Sequence, residues 1–354
     1  MRHFICFICF LSLLGCGQKP KSTFEGLEIK SIKADGKLSD QIDVKDSYLL
    51  LDTVADANIM YPEKIIKAND GSIWISNNMR RQYNLVNFSS DGKWIKTFSK
   101  QGQGPGEYLG ISDFDITPDG RLYILDGRLD KVMVYNSEGE FVNSFKPPFE
   151  ADMFHVLKNG NILFGLSTWD EGYGKEWRVA LTDNECNPIK FMIPADDLYD
   201  PNIWLGHSGF TVREDGKIVY NREIDDRIFV FNDAGEIESV AQLDFGKYTV
   251  ADEDKKNVED NPNFENYRNI VGMVGMSDGR FMGNILMNGQ NALFVTNGDN
   301  TTIQPIDNAL RNIGFIDKRM VQPITSDEYE ILQLPDSVAQ HINNEGMALR
   351  LLKF

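Results

Sequence analysis

The sequence predicts an all-β fold assembled from repeated four-stranded antiparallel sheets, and three observations carry that prediction. Short turn-plus-strand phrases recur along the chain, a second turn follows each at a similar spacing, and unmatched apolar strands lie at both ends. The 354 residues are 42% hydrophobic and include 22 Phe, enough apolar material for a core that owes nothing to disulfides.

Taken in chain order, the first element is a leader. Met1 and Arg2 precede an apolar run from Phe4 to Leu14, too short for a bilayer span of about 20 residues. A basic start, a short apolar run and small residues before a cysteine are the signs of a secretory signal. Leu13-Leu14-Gly15-Cys16 resembles the lipobox of bacterial lipoproteins, which implies cleavage after residue 15 and acylation of Cys16. An ordinary cleaved signal with an incidental cysteine is the alternative. Residues 16–40, polar and Lys-rich after the lipid site, read as a lipidated tether, and 41–354 as the folded domain.

The repeated phrases come next. Asp70-Gly71, Asp119-Gly120, Asn159-Gly160, Asp215-Gly216 and Asp278-Gly279 each introduce a β-prone run, a hairpin signal because these dipeptides accept positive φ. Second turns follow at Asp91-Gly92, Glu138-Gly139, Glu185-Cys186, Ala234-Gly235 and Asn297-Gly298. The spacing between the two turns is 21, 19, 26, 19 and 19 residues, the third copy being stretched by an insertion around Trp169–Glu176. Each copy reads as four antiparallel strands, and copies begin 49, 40, 56 and 63 residues apart. Such periods indicate propeller blades, since a lone sheet cannot bury both faces. Tyr48–Thr53 and Met347–Phe354 are strands without a copy of their own. Their pairing would complete a sixth blade and leave no free sheet edge. The expected architecture is a six-bladed β-propeller of four-stranded antiparallel blades, closed by pairing of the N- and C-terminal strands. An open β-sandwich or two small β domains is the alternative. Ala251–Asn269 and Tyr329–Ile342 read as insertions between blades, the second with helical spacing interrupted by Pro335.

At Gln101-Gly102-Gln103-Gly104-Pro105-Gly106-Glu107-Tyr108 the chain resembles the six-bladed β-propeller lipoproteins abundant in Bacteroidetes. Leu51-Asp52-Thr53, Lys64-Ile65-Ile66, Ile111-Ser112-Asp113-Phe114, Leu125-Asp126-Gly127 and the ending Asn344-Glu345-Gly346 carry the same resemblance. It implies the fold and the envelope address, and no reaction. Acidic residues often follow the cysteine in surface-exported lipoproteins of this group. They are missing after Cys16, which points to an outer-membrane lipoprotein facing the periplasm.

Charge narrows the partners. Removal of residues 1–15 takes away Arg2 and no acid, leaving 35 basic and 53 acidic side chains, a net charge of −18. Such a surface repels phosphate backbones, so no nucleic acid is expected, and the membrane is met through the lipid alone. Cys6 and Cys9 leave with the signal and Cys16 is acylated. Cys186 then stands alone, and no disulfide or cysteine metal cluster can form within the chain.

Candidate binding residues cluster in loops. The Gly-rich loop lacks the spacing of a dinucleotide cradle, and Pro105 removes an N–H that a phosphate would need. It reads as a rigid inter-blade turn, the alternative being a turn that also aims Gln103, Glu107 and Tyr108 into a central mouth. Arg80, Arg81, Asp126 and Arg128 occupy equivalent loops of successive blades; they read as solubilising surface charge or, alternatively, as a site for an acidic or sugar ligand. Trp169 in the third-copy insertion, near Asp170, Tyr173 and Trp177, and His207 beside Trp204 read as packing of a long loop, with carbohydrate stacking as the alternative. Asp113, Asp115, Asp119, Asp126 and Asp130 read as turn and strand-end carboxylates, since they do not follow the Asp-x-Asp-x-Asp-Gly pattern of a calcium loop, although a channel-bound calcium stays open. No other cofactor is expected. His155, His207 and His341 are widely spaced, with no His-x-x-x-His pair and no Gly-x-Ser-x-Gly elbow, so no catalytic residues are assigned. The expected function is a lipid-anchored envelope propeller, more binding or scaffold module than enzyme, for a small ligand, glycan or protein. The alternative is a propeller enzyme of lactonase, lyase or glycosidase type with a channel-bound cation.

Overall fold

A computed structural model describes residues 23–24, 26–36, 42–57, 59–79, 81–169, 172, 174–195, 209–258, 260–306, 310–326 and 332–354. Cys16 and its leader, Arg80, Asp170, Tyr173, Trp204 and His207 lie outside the described residues.

The chain opens with β1 (Thr23–Phe24), β2 (Leu27–Lys33) and β3 (Lys45–Leu51). Three four-stranded antiparallel sheets follow in order: β4 (Pro62–Lys67) to β7 (Trp94–Phe98) through β5 (Ile73–Met79) and β6 (Gln82–Phe88); β8 (Asp113–Ile116), β9 (Leu122–Asp126), β10 (Lys131–Tyr135) and β11 (Phe141–Phe145); and β12 (Ala151–Val156), β13 (Ile162–Leu166), β14 (Trp177–Thr182) and β15 (Pro188–Pro194). A ten-stranded sheet contains two further meanders. The fourth is β16 (Phe210–Val212), β17 (Ile218–Tyr220), β18 (Arg227–Phe231) and β19 (Ile237–Asp244). The fifth is β20 (Arg268–Gly275), β21 (Phe281–Met287), β22 (Gln290–Asn297) and β23 (Asn300–Pro305). The last sheet joins β24 (Phe315–Ile316), β25 (Arg319–Ile324), β26 (Met347–Lys353) and β3, so a strand near the start of the chain pairs with the last one, from Met347↔Leu51 to Lys353↔Lys45. The fold is all-β and propeller-like.

Local chemistry explains the repetition. In the first four meanders the register shifts by one residue where the third strand meets the fourth, a β-bulge beside the second turn. Short polar side chains brace that turn: Ser89, Asn136, Asp183 and Asn232 accept backbone N–H bonds from residues four further on. Cys186 stands at φ +67° where the other copies have glycine, with its thiol buried.

A core layer lies between consecutive sheets. Trp74, Phe98, Phe114 and Tyr135 fill the space between the first and second, Tyr123, Val134, Phe154 and Phe164 that between the second and third. Leu163, Val179, Tyr220 and Phe229 continue it to the fourth, Val219, Leu243, Met273 and Phe294 to the fifth. Leu293, Met320 and Leu352 join the fifth to the last sheet, and Ile65, Ile75, Val321 and Leu349 join the last to the first.

Three segments depart from the sequence expectation. Part of the expected tether is folded: β2 pairs in parallel with β19, Val240↔Ile29 to Asp244↔Lys33, and touches β23 at Asn300. The reason is that two short apolar pairs, Leu27/Ile29 on one face and Ile32/Ala34 on the other, are hidden in a Lys-rich composition. Leu27 and Ile29 pack on the third–fourth layer, while Ile32 is buried in the fourth–fifth layer. The Arg268 guanidinium then donates to the carbonyls of Ala34 and Gly36. The acidic insertion after β19 forms 3-10 turns at Asp252–Asn257 and Phe264–Asn266, pinned by Val258, Tyr267, Val250 and Ile224. Pro335 does not interrupt the helix but starts it: α1 (Asp336–Asn343) begins one residue later, where a missing N–H costs nothing, and buries Val338 and Ile342.

Candidate functional site

Each meander starts at its innermost strand, and these strands, β4, β8, β12, β16, β20 and β24, border one cavity of about 1420 Å³. Alternation of strand direction puts the turns between first and second strands at one end of it. The turns between second and third strands, with the links between meanders, sit at the other.

The first end is stitched by ion pairs. Lys67 reaches Asp317 at 2.8 Å, and Lys318 reaches Glu214 at 2.8 Å. Salt-linked pairs also knit the wall. Lys64 Nζ on β4 donates to Asp113 on β8 at 2.6 Å, and Asp113 accepts the Phe154 N–H of β12 at 2.9 Å. Two residues on, Asp115 accepts the Val156 N–H at 2.8 Å and meets His155 Nδ1 at 2.9 Å. Burial pushes the Asp113 carboxyl up, and the charge and bond of Lys64 do not fully offset it. Burial also acts on Asp115, but there the His155 charge and hydrogen bond outweigh it and hold the carboxyl below its usual range. The two aspartates that read as strand-end carboxylates therefore clasp neighbouring inner strands. Among the described residues no three His, Cys, Asp or Glu side chains group to hold a metal ion.

The second end is a mouth built from equivalent turns. Arg128, after β9, stands over the Tyr83 ring of the preceding sheet at 5.8 Å. Trp169, after β13, is 59% exposed, with its backbone N–H on Ser167 Oγ at 3.2 Å. Arg222, after β17, donates to the Leu166 carbonyl at 2.5 Å and to Asp152 Oδ2 at 3.3 Å. Arg178, Glu223 and Asp225 complete this end. Asp225 is bound to Arg227 at 2.8 Å.

Of the residues expected from sequence, Arg128 and Trp169 line the cavity. Arg81 is exposed at φ +73° in the equivalent turn of the first sheet, outside the cavity wall. The Gly-rich loop closes on itself. Gln101 ties the Arg81 and Leu109 carbonyls, and the Glu107 carboxylate accepts the Gly104 N–H at 2.7 Å. Gly106, at φ +75°, lies against Phe141, where a Cβ would come within 2.6 Å of the ring. Tyr108 is buried, donates to the Tyr83 carbonyl at 3.0 Å, and has its hydroxyl pushed up to about 12 by burial. Asp126 is also buried, accepting N–H bonds from Leu109, Gly110 and Arg128. Tyr108 and Asp126 thus belong to the frame under the loop, not to the mouth. Gln103 and Glu107 are exposed on the loop and outside the cavity wall. Asp152, Arg178 and Arg222 went unnoticed in the sequence. Extending the Arg80–Arg81 and Arg128 loop equivalence to the fourth copy would have found Arg222.

Comparison with known proteins supplies a family and a fold. A family profile described as a domain of unknown function (DUF4934) matches residues 29–328. A protein from Bacteroides fragilis described as exported has a similar structure, with a TM-score of 0.73 at 17% identity, covering 92% of this chain and 99% of its own. A member of the DUF4221 family from Bacteroides vulgatus gives 0.59 at 11%, covering 88% and 98%. A virginiamycin B lyase from Staphylococcus aureus gives 0.49 at 13%, covering 88% and 100%. No curated protein matches in sequence. Among the described residues no helix is long and apolar enough to cross a membrane.

Proposed function

The chain belongs to the DUF4934 family, and from that premise we propose a closed six-bladed propeller, exported and held to the outer membrane through acylated Cys16, that works as a binding module. The five meanders and the β24-β25-β26-β3 sheet are its blades, and the β3–β26 ladder is its closure. The core layer running from the last sheet back to the first supports that reading. The lipobox-like Leu-Leu-Gly-Cys and a structural neighbour described as exported support the address, with the periplasm as the side faced.

The observation that carries the function is the mouth. Turns of three successive meanders bring Arg128, Trp169 and Arg222 to one end of a cavity whose other end is tied by ion pairs. Loops on a rigid scaffold are where binding groups are placed, and a concave site with few polar anchors is the usual form of a ligand pocket. The ligand is a small molecule, a glycan or a protein segment. The test is capture from envelope extract by residues 17–354, native and with Arg128→Ala and Trp169→Ala together. A ligand retained by the native protein and lost by the double variant supports the mouth. Equal capture by both refutes it.

One observation favours a second reading, acid–base chemistry in the cavity. Asp115 fixes His155 through Nδ1, and the His155 side chain, 19% exposed, lines the cavity with Nε2 unpartnered among the described residues. An oriented imidazole is the usual form of a general base. Turnover of any compound that binds, lost in His155→Gln while binding persists, would establish this reading.

A further inference from the structure

We propose that the mouth takes the end of a neutral carbohydrate chain, one sugar ring stacked on the Trp169 indole and its adjacent hydroxyls held by the Arg222–Asp152 pair. This rests on the reading of the mouth as a ligand site and names the class of ligand.

Charge balance is the first argument. The protein is strongly acidic, yet the mouth intermixes Arg128, Arg178 and Arg222 with Glu63, Asp152, Glu223 and Asp225. An ionised ligand of either sign meets like charges beside opposite ones, so neither sign is strongly selected.

The geometry of the pairs is the second. A guanidinium only donates and a carboxylate only accepts, whereas a hydroxyl does both. The Arg222 and Asp152 groups stand side by side at 3.3 Å, and Arg222 is further fixed by the Leu166 carbonyl. Two neighbouring hydroxyls meet a donor and an acceptor already oriented, so little rotamer freedom is lost on binding. Asp152 keeps 45% of its side chain exposed and can take such a bond.

The exposed indole is the third. Trp169 leaves 59% of its surface in water at the rim of the cavity, and its backbone N–H is pinned by Ser167. The negative face of an aromatic ring attracts C–H groups, and a pyranose presents a face of them. The volume fits more than one ring: about 300–1,000 Å³ suffices for a drug-sized ligand, and this cavity is about 1420 Å³.

The experiment is a tryptophan-fluorescence and calorimetric titration of residues 17–354. The probes are neutral oligosaccharides (gluco-, manno-, xylo- and N-acetylglucosamine series) and charged ones (oligogalacturonate and a sulfated oligosaccharide). We expect saturable binding of at least one neutral series, little changed by 0.5 M salt. It should weaken at least tenfold in Trp169→Ala and in Asp152→Asn, both exposed positions that leave the core untouched. Binding of charged probes alone, with strong salt dependence, overturns the proposal. So does neutral binding that both variants retain. If no sugar binds while an envelope ligand is still lost by the Arg128/Trp169 variant, the proposal falls and the mouth stands. If that variant also loses nothing, both fall.

Discussion

Replacing Asp115 by Ala tests whether the buried carboxylates hold the inner strands together. The side chain is 9% exposed and accepts the Ile116 and Val156 N–H groups at 2.8 Å each while facing His155 Nδ1 at 2.9 Å. Truncation leaves the buried Val156 N–H without its acceptor, at about 1–3 kcal/mol. It also strips the imidazole of its partner, and breaking a mostly buried pair costs about 3–5 kcal/mol. The two overlap, so the expected loss is about 3–5 kcal/mol at pH 7, read from urea unfolding of residues 17–354. The pH dependence follows from the direction of the shift. A carboxyl held below its ordinary range in the folded state contributes stability that is present above the unfolded value. That stability is lost as the pH falls through the folded one. The gap between native and variant should therefore be full at pH 7 and close only in acid, below about pH 4. A loss under 1 kcal/mol, or a gap that closes already between pH 7 and 5, would refute the clasp.

Asp113 carries the opposite sign. Its carboxyl is raised by burial, so its contribution is full below the unfolded value and lost as the pH rises through the folded one. Asp113→Asn should accordingly cost less at pH 7 than Asp115→Asn in the same unfolding assay. Gly92 sits at φ +86°, and an added Cβ would fall 2.0 Å from the Leu50 carbonyl oxygen. Gly92→Ala should lower stability by about 1–3 kcal/mol from backbone strain, read from the melting temperature. Arg268→Ala should free residues 34–36, seen as faster limited proteolysis ahead of β3 with the propeller body intact. The Cys186 thiol is buried and pushed up to about 12, so a maleimide should label it only after unfolding.

Much of the architecture was readable because turns are local. Five Asp-Gly or Asn-Gly phrases announce five meanders, since positive φ restricts the residue choice wherever a tight hairpin forms. The sixth phrase was hidden: Asp317 and Lys318 adopt positive φ without glycine, and β24 is only two residues long. β2 was hidden by its lysines, which point outward while Leu27, Ile29 and Ile32 face the two core layers. The mouth was half readable. Arg128 and Trp169 follow from loop equivalence, but Asp152 gains meaning only beside Arg222, 70 residues away. Tyr108 and Asp126 misled for the same reason: nothing local distinguishes a side chain that braces a loop from one that the loop presents.

The claim that the mouth is the working site is tested most directly by thermal unfolding of residues 17–354 beside the Arg128/Trp169 double variant. Both are screened with calcium, with chelator, and across sugars and metabolites. A ligand at 100 times its Kd adds about 2.7 kcal/mol, a readable shift. The account predicts a compound that stabilises the native protein and leaves the variant unmoved. A compound that stabilises both equally, or no shift with any together with equal capture of envelope ligands by both proteins, would contradict it.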